Sequence, residues 1–329
     1  MQELEGKKVL LLAPKFFGYE LEIKNEIENL GAKVFYFDER PKNDFFTKVF
    51  IRLNLKSFIQ KNINNYFQSI VNETKDEQFN YLFLVNPETI DTEKIESIKK
   101  LHSNLKVYIY MWDSIKNKKK SLDLLPSSDK FFTFDSNDKL INKNIHFLPL
   151  FYIRDYESIE KREKYLYDIS FIGSIHSDRY STVKSIDSLK FNVFFYFYSP
   201  SKILFILQKI LYKEFRKISN DDISFKSLNK KEIVNIIESS KCVIDIEHPL
   251  QKGLTMRTME MLGARKKLIT TNKNIQDYDF YNTNNICIID RNNPSISEDF
   301  INLEYKEVNH NIYEKYSLQS WIKNIFKGE

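Results

Sequence analysis

Glycine, cysteine and tryptophan are scarce in this chain: 7, 2 and 2 among 329 residues. Cys242 and Cys287 stand far apart with no metal-type spacing around them, which argues against disulfides and against zinc. No stretch approaches the roughly 18 consecutive apolar residues that a membrane span needs. The opening MQELEGKKVLLLAP is too acidic, and its apolar run too short, for a signal peptide, so a cytoplasmic location is expected. Neither sign of charge dominates. The net charge of +5 permits an acidic ligand or a membrane surface but gives no ground for nucleic acid. No short internal repeat and no low-complexity linker interrupt the chain. No Asp-x-Asp pair stands at a strand end, since Asp221-Asp222 falls in a polar loop, so no metal is expected. The excess of Lys, Asn, Ile, Phe and Tyr beside so little glycine reflects a nucleotide-biased genome.

What is present is ordinary globular material: 42% hydrophobic and 29% charged, in a length sufficient for two cores. KKVLLLAP (7–14) is a continuous apolar run ended by proline, as in a strand buried on both faces of a parallel sheet. GYELEIKNEIENLG follows as a helix closed by Gly31. AKVFYFDE is a strand, and a long helical region runs from about Asp44 to Glu73. NYLFLVNP (strand), DTEKIESIKKLHS (helix), LKVYIYMWD, KFFTFD and IHFLPL (strands) complete a doubly wound α/β domain over residues 1–150. After the connector RDYESIEKREKYLY the alternation restarts. YDISFIGS (strand), DRYSTVKSIDSL (helix), FNVFFYFYS (strand), KKEIVNIIESS (helix), KCVIDIE (strand), a helix within GLTMRTMEMLGA, then KKLITTN and NICIID form a second domain, 151–310. The last segment, HNIYEKYSLQSWIKNIFKG, is helical and forms a terminal element over 311–329, free to return to the first domain.

In open parallel sheets ligands sit at the carboxyl ends of the strands. In the second domain two such ends carry small or charged groups. In FIGSIHSDR, Gly173 allows close backbone approach, the following helix start offers free amides, and His176 and Arg179 can add charge-assisted bonds to a phosphate. The plain alternative is a strand-to-helix turn with surface charges. In IEHPLQKGLT, Glu247 and His248 end a strand, and the loop through Gly253 and Leu254 feeds a helix whose N-cap is Thr255. Arg257, Glu260 and Ala264 share one face of that helix, with Thr258 in its first turn. A carboxylate in the second turn suits the two hydroxyls of a ribose, and the cap region suits phosphate. The plain alternative is a capped amphipathic helix with an internal Arg257–Glu260 pair. The two motifs together point to a nucleoside diphosphate.

YDISFIGSIHSDR and IEHPLQKGLTMRTMEMLGARKKLITTN resemble the donor-binding domain of bacterial glycosyltransferases of the GT-B type, in the lipopolysaccharide and capsule group related to spore-maturation glycosyltransferases. FFTFDSNDK and FLPLFY are similar to that group's inter-domain region. The likeness covers about residues 130–290, and the first domain matches in pattern only. It implies two tandem Rossmann-like domains with a C-terminal helix packing back on the first. It also implies a nucleotide-sugar donor, with Gly173, Ser174, Thr255 and Arg257 near its phosphates and Glu260 on its ribose. A UDP-sugar is the expected donor; the His248-Pro249 pair keeps a CMP-sugar open, and a GDP-sugar is the other option. Many retaining members carry a spaced pair of glutamates, and Lys252 stands where the first would be, so retention does not follow.

Such a reaction displaces a nucleotide from an anomeric carbon. The leaving diphosphate gains charge, which helix N-termini with Arg257, His176 and Arg179 can offset without a metal. An inverting route also needs a base for the acceptor hydroxyl. Asp113, at the end of a first-domain strand, and Glu20, beside Gly18, are the candidates, with helix capping and first-turn dipole pairing as their structural alternatives. Two basic, aromatic-rich stretches, 45–63 and 199–218, suit either an interfacial helix at the cytoplasmic face of the inner membrane or an amphipathic helix over a core. The expected acceptor is a surface glycan or a lipid-linked one. A nucleotide-sugar epimerase of the same architecture and a non-catalytic nucleotide- or glycan-binding protein are the competing readings.

Overall fold

A computed structural model describes residues 3–52, 55–186, 190–249 and 251–327. The chain divides into two units, Met1–Pro149 with Leu318–Glu329, and Leu150–Ser317.

The first unit is built on six strands: β1 (Lys8–Ala13), β2 (Lys33–Asp38), β3 (Tyr81–Val85), β4 (Lys106–Met111), β5 (Lys130–Thr133) and β6 (Ile145–Phe147). Their order is β2-β1-β3-β4-β5-β6, with every neighbouring pair parallel. The apolar runs read from the sequence become central strands because both faces are covered. Leu10, Leu82, Leu84, Val107 and Ile109 lie in one core cluster with Ile95 and Ile98 of the helix Thr92–Leu101. The other face receives the helix Leu318–Phe326. Its buried Leu318, Trp321, Ile322, Ile325 and Phe326 follow a 3.6-residue period. The Trp321 ring lies 4.6 Å from that of Tyr110, and Phe326 lies 5.0 Å from Tyr81. The terminal helical segment is thus two helices. His310–Lys315 belongs to the second unit, and a break at Tyr316 and Ser317 frees Leu318–Phe326 to join the first. Gly31, at φ 100°, ends the helix Tyr19–Asn29 in the left-handed conformation that glycine adopts without steric cost.

The second unit carries β7 (Tyr167–Ser174), β8 (Val193–Tyr198), β9 (Ile223–Ser224), β10 (Ser240–Asp245), β11 (Lys267–Thr270) and β12 (Ile286–Ile288). Their order is β12-β11-β10-β7-β8-β9, again all parallel. Counted within the unit, this is the doubly wound order 3-2-1-4-5-6 read from its far edge. The winding reverses between the first strand, β7, and the fourth, β10. The two short strands β9 and β12 hold the edges.

Two stretches depart from the long helices expected. The region from Asp44 to Glu73 is broken into Phe45–Arg52, a 3-10 turn at Lys56–Ile59 and Gln60–Glu73, with 53–54 outside the described residues. The helix expected over DRYSTVKSIDSL spans only Arg179–Lys184, and 187–189 lie outside the described residues.

Candidate nucleotide site at the switch point of the second unit

The carboxyl ends of β7 and β10 meet where the strand order reverses, and a polar cluster joins them. Arg179 ties the two ends together. Its Nη1 donates to the Ser174 carbonyl at 3.0 Å and its Nε to the Ile246 carbonyl at 2.9 Å, with Nη2 on the same oxygen. Burial, opposed by Asp245 and reinforced by Arg257, brings the guanidinium down to about 10, which leaves it charged at neutral pH. Gly173 is needed for this arrangement. A Cβ there would stand 2.8 Å from the Phe171 ring and 3.2 Å from Arg179 Nη1. Arg179 is therefore first a strut between two strand ends, with only its remaining N–H groups free for a ligand.

His176 differs from expectation. Burial first, then Arg179 and His248, hold its imidazole down to about 3, so it is neutral in the free protein and not a ready cation. Its ring lies 5.7 Å from that of His248, and its Nδ1 is 3.0 Å from the Ser177 hydroxyl.

The helix Met256–Gly263 begins as its sequence indicates, with the Thr255 side chain accepting from the Thr258 amide. A residue not singled out in the sequence anchors that cap. Asp245, at the end of β10 and 5% exposed, accepts from both the Thr255 and Thr258 hydroxyls, at 2.6 and 2.7 Å. The two threonines are thus fixed by a carboxylate from the neighbouring strand, which orients the helix start toward the switch point. Gly253 and Leu254 are buried beneath the loop, and Asn272 Nδ2 donates to the Lys252 and Gly253 carbonyls at 3.1 and 3.3 Å. Leu250, in the same loop, lies outside the described residues.

Arg257 and Glu260 pair as the plain reading anticipated, with Nη1 2.5 Å from Oε2. Glu260 is 6% exposed.

Glu247 belongs to a second network. Its Oε1 meets Nη2 of Arg291 at 2.5 Å, its Oε2 accepts from the Thr271 hydroxyl at 2.6 Å, and Arg291 also holds Asp178 at 2.8 Å. Arg291 follows β12, Thr271 follows β11 and Glu247 follows β10, so three strand ends and the start of the helix after β7 are cross-linked by one guanidinium. Arg291 and Asp245 escaped sequence reading because their partners are 44 or 113 residues away in the first case and lie across a loop in the second. The available signal was positional: each stands at or just past the end of an apolar run.

In the first unit the two base candidates differ. Glu20 is 5% exposed and accepts from the Phe16 amide at 3.0 Å, closing the turn before its own helix. Asp113 follows β4 and is half-exposed; its Oδ2 accepts from Asn86 Nδ2 at 3.0 Å and lies 4.0 Å from Lys118 Nζ. The next 3-10 helix, Lys119–Ser127, has Lys118 at its N-cap position with no side-chain capping bond, so Asp113 is no cap for it.

Among the described residues no group of three or more His, Cys, Asp or Glu side chains could hold a metal ion, and no helix is long and apolar enough to cross a membrane.

No family model matches this chain, and neither does any curated protein. Solved structures do resemble it in fold. The α,α-trehalose-phosphate synthase (UDP-forming) from Burkholderia vietnamiensis is 8% identical with a TM-score of 0.56, the match covering 97% of this chain and 98% of that one. Sucrose-phosphate synthase from Thermosynechococcus elongatus is 7% identical with a TM-score of 0.53, over 97% and 95% of the two chains. HepE from Anabaena, solved with UDP and glucose, is 8% identical with a TM-score of 0.53, over 97% and 95%. At these identities what is shared is the fold, two tandem Rossmann-like units of the GT-B kind.

Proposed function

We propose that the protein is a glycosyltransferase that moves a sugar from a nucleotide-sugar, a UDP-sugar in the first instance, to a surface glycan or lipid-linked acceptor. The observation that carries this reading is the site at the switch point: a threonine-capped helix start, pinned by Asp245, beside the Gly173–Ser174 turn, with the buried Glu260 one turn further in. The proteins of similar fold include two UDP- or sugar-phosphate-named synthases and one solved with UDP, which supports a uridine donor.

In this reading the first-turn amides and Arg257 face the diphosphate, whose charge grows as the anomeric bond breaks. Glu260 accepts from the ribose hydroxyls. Asp113, the more exposed of the two candidate carboxylates, is the proposed base for the acceptor hydroxyl. No metal is assigned a part, because fixed amides and guanidinium groups supply the positive field.

The helix Lys202–Leu211 supports a contact with the cytoplasmic face of the inner membrane. Ile203, Ile206, Leu207, Ile210 and Leu211 are between 48% and 72% exposed, and Lys202, Lys209 and Lys213 flank them. An apolar stripe edged by lysines suits an anionic bilayer surface.

The test is nucleotide release from UDP-, GDP- and CMP-sugars with and without a glycan acceptor. Acceptor-dependent UDP release is the expected result. Isomerised sugar without an acceptor would instead identify an epimerase, and tight nucleotide binding with no turnover a binding protein.

A further inference from the structure

A cavity of about 420 Å³ lies in the first unit, beside the chain that leaves β3 and β4 at their carboxyl ends. Its size suits a monosaccharide with one substituent. Lys56, Lys116, Lys118, Lys119 and Lys120 line it, and among the described residues Glu88 is the one carboxylate that does. That carboxylate is already matched: Arg40 Nη2 stands 2.6 Å from its Oε2, and Lys118 holds the other oxygen.

A run of lysines is usually a solvated face, and Lys116, Lys119 and Lys120 taken alone would be one. Three observations set this run apart. It closes on Lys56, which comes from a separate turn and donates to the Glu88 carbonyl. Burial lowers the Lys56 ammonium below the ordinary lysine range; Glu39 and Glu88 oppose this, while Lys120 and Lys118 add to it, so like charges crowd one wall. Ser121 lines the same cavity, and its hydroxyl is buried with no hydrogen-bond partner among the described residues. The loop that carries Glu88 is tied down by Glu39, whose Oε1 accepts from the amides of Glu88, Thr89 and Ile90.

We infer that this cavity binds a phosphate monoester carried on a small hydrophilic molecule. Lysine ammonium groups recognise phosphate as point charges, and five of them against one neutralised carboxylate favour a dianion over a carboxylate. The Ser121 hydroxyl supplies a donor for one phosphate oxygen. Lys118 also stands 4.0 Å from Asp113, so the anion site adjoins the carboxylate assigned as base. The phosphate site does not rest on the glycosyltransferase reading.

The test is calorimetric titration with glucose 6-phosphate, glucose, glucuronate and inorganic phosphate at about 150 mM salt, where exposed-charge attraction is screened, with UDP titrated in parallel. Glucose 6-phosphate should saturate a single site, glucose should not bind, and glucuronate should bind at least several-fold more weakly. In the Lys119→Gln/Lys120→Gln double variant, and separately in Ser121→Ala, glucose 6-phosphate affinity should fall about tenfold, the scale of a lost charge-assisted hydrogen bond. UDP affinity should be unchanged, which also certifies folding. Equal binding of glucuronate, or affinity that survives both variants, overturns the proposal. UDP binding with no sugar-phosphate binding overturns it and leaves the donor site standing. Sugar-phosphate binding in a protein that transfers nothing upholds the phosphate site and removes the glycosyltransferase reading.

Discussion

Single side chains decide what the switch-point cluster can do. Glu260 is buried against Arg257, and its assigned role is the ribose. Glu260→Gln should therefore weaken uridine and UDP by the same factor, about ten- to a hundredfold for a charged hydrogen bond of about 1.5–3 kcal/mol. Arg257→Ala should weaken UDP well beyond uridine if, as proposed, it faces the phosphates. Calorimetry with both ligands separates these patterns, and a loss of melting temperature with no change in affinity would reduce the pair to a structural one. His176 sets a pH dependence. The native protein refuses a proton that the unfolded chain takes up below about 6.5, so the unfolded state binds more protons between about 3 and 6.5. Stability from this source is present above 6.5 and is lost as pH falls. Thermal melts from pH 7 to 4.5 should show a smaller decline for His176→Gln than for the wild type; parallel curves would remove His176 as the cause. Asp113→Asn keeps the shape of the side chain and removes the proton acceptor, so turnover should drop by about two to four orders of magnitude while UDP affinity holds. Near-normal turnover would exclude Asp113.

At the scale of elements, the helix Met256–Gly263 is legible in the sequence. A threonine stood at its cap, polar residues followed in its first turns, and a glycine closed it. What was not legible is why it ends on glycine. A Cβ at Gly263 would fall 2.7 Å from Cβ and Cγ of Tyr152, and the Tyr313 hydroxyl donates to the Gly263 carbonyl at 2.7 Å. The backbone must come against the tyrosine, a contact with no local sequence signal. Gly263→Ala should cost about 1–3 kcal/mol, the range for overpacking, read as a lower midpoint in urea; an unchanged midpoint would mean that the tyrosine moves aside freely. The same limit applies to the helix Lys202–Leu211. Its sequence gave apolar and basic residues in helical spacing, but which face meets solvent depends on the sheet it flanks, with only Phe205 fully buried. Vesicles of anionic lipid should sediment the wild type more than a variant with Ile203 and Ile210 both changed to Ser, and equal sedimentation would dismiss the membrane contact.

For the whole molecule, the alternation of apolar runs and amphipathic helices was enough to yield two parallel sheets, because strands buried on both faces leave an unmistakable continuous pattern. Strand order was beyond it: nothing in KCVIDIE says that it lies beside YDISFIGS rather than at an edge. Yet that adjacency makes the site, since it brings Ser174, Arg179, Asp245 and Glu247 to one place. Gly173, Ser174, Thr255 and Glu260 could be proposed from sequence as strand-end and helix-start positions, whereas Asp245 and Arg291 became visible only through partners that the topology supplies. In the proposed reading a nucleoside diphosphate occupies this switch point. Backbone hydrogen exchange with and without saturating UDP tests it most directly. Slowed exchange should be concentrated in peptides covering residues 173–179 and 253–260, with the first unit's Lys116–Ser121 segment unchanged. Absence of protection there, or protection confined to the first unit, would contradict it.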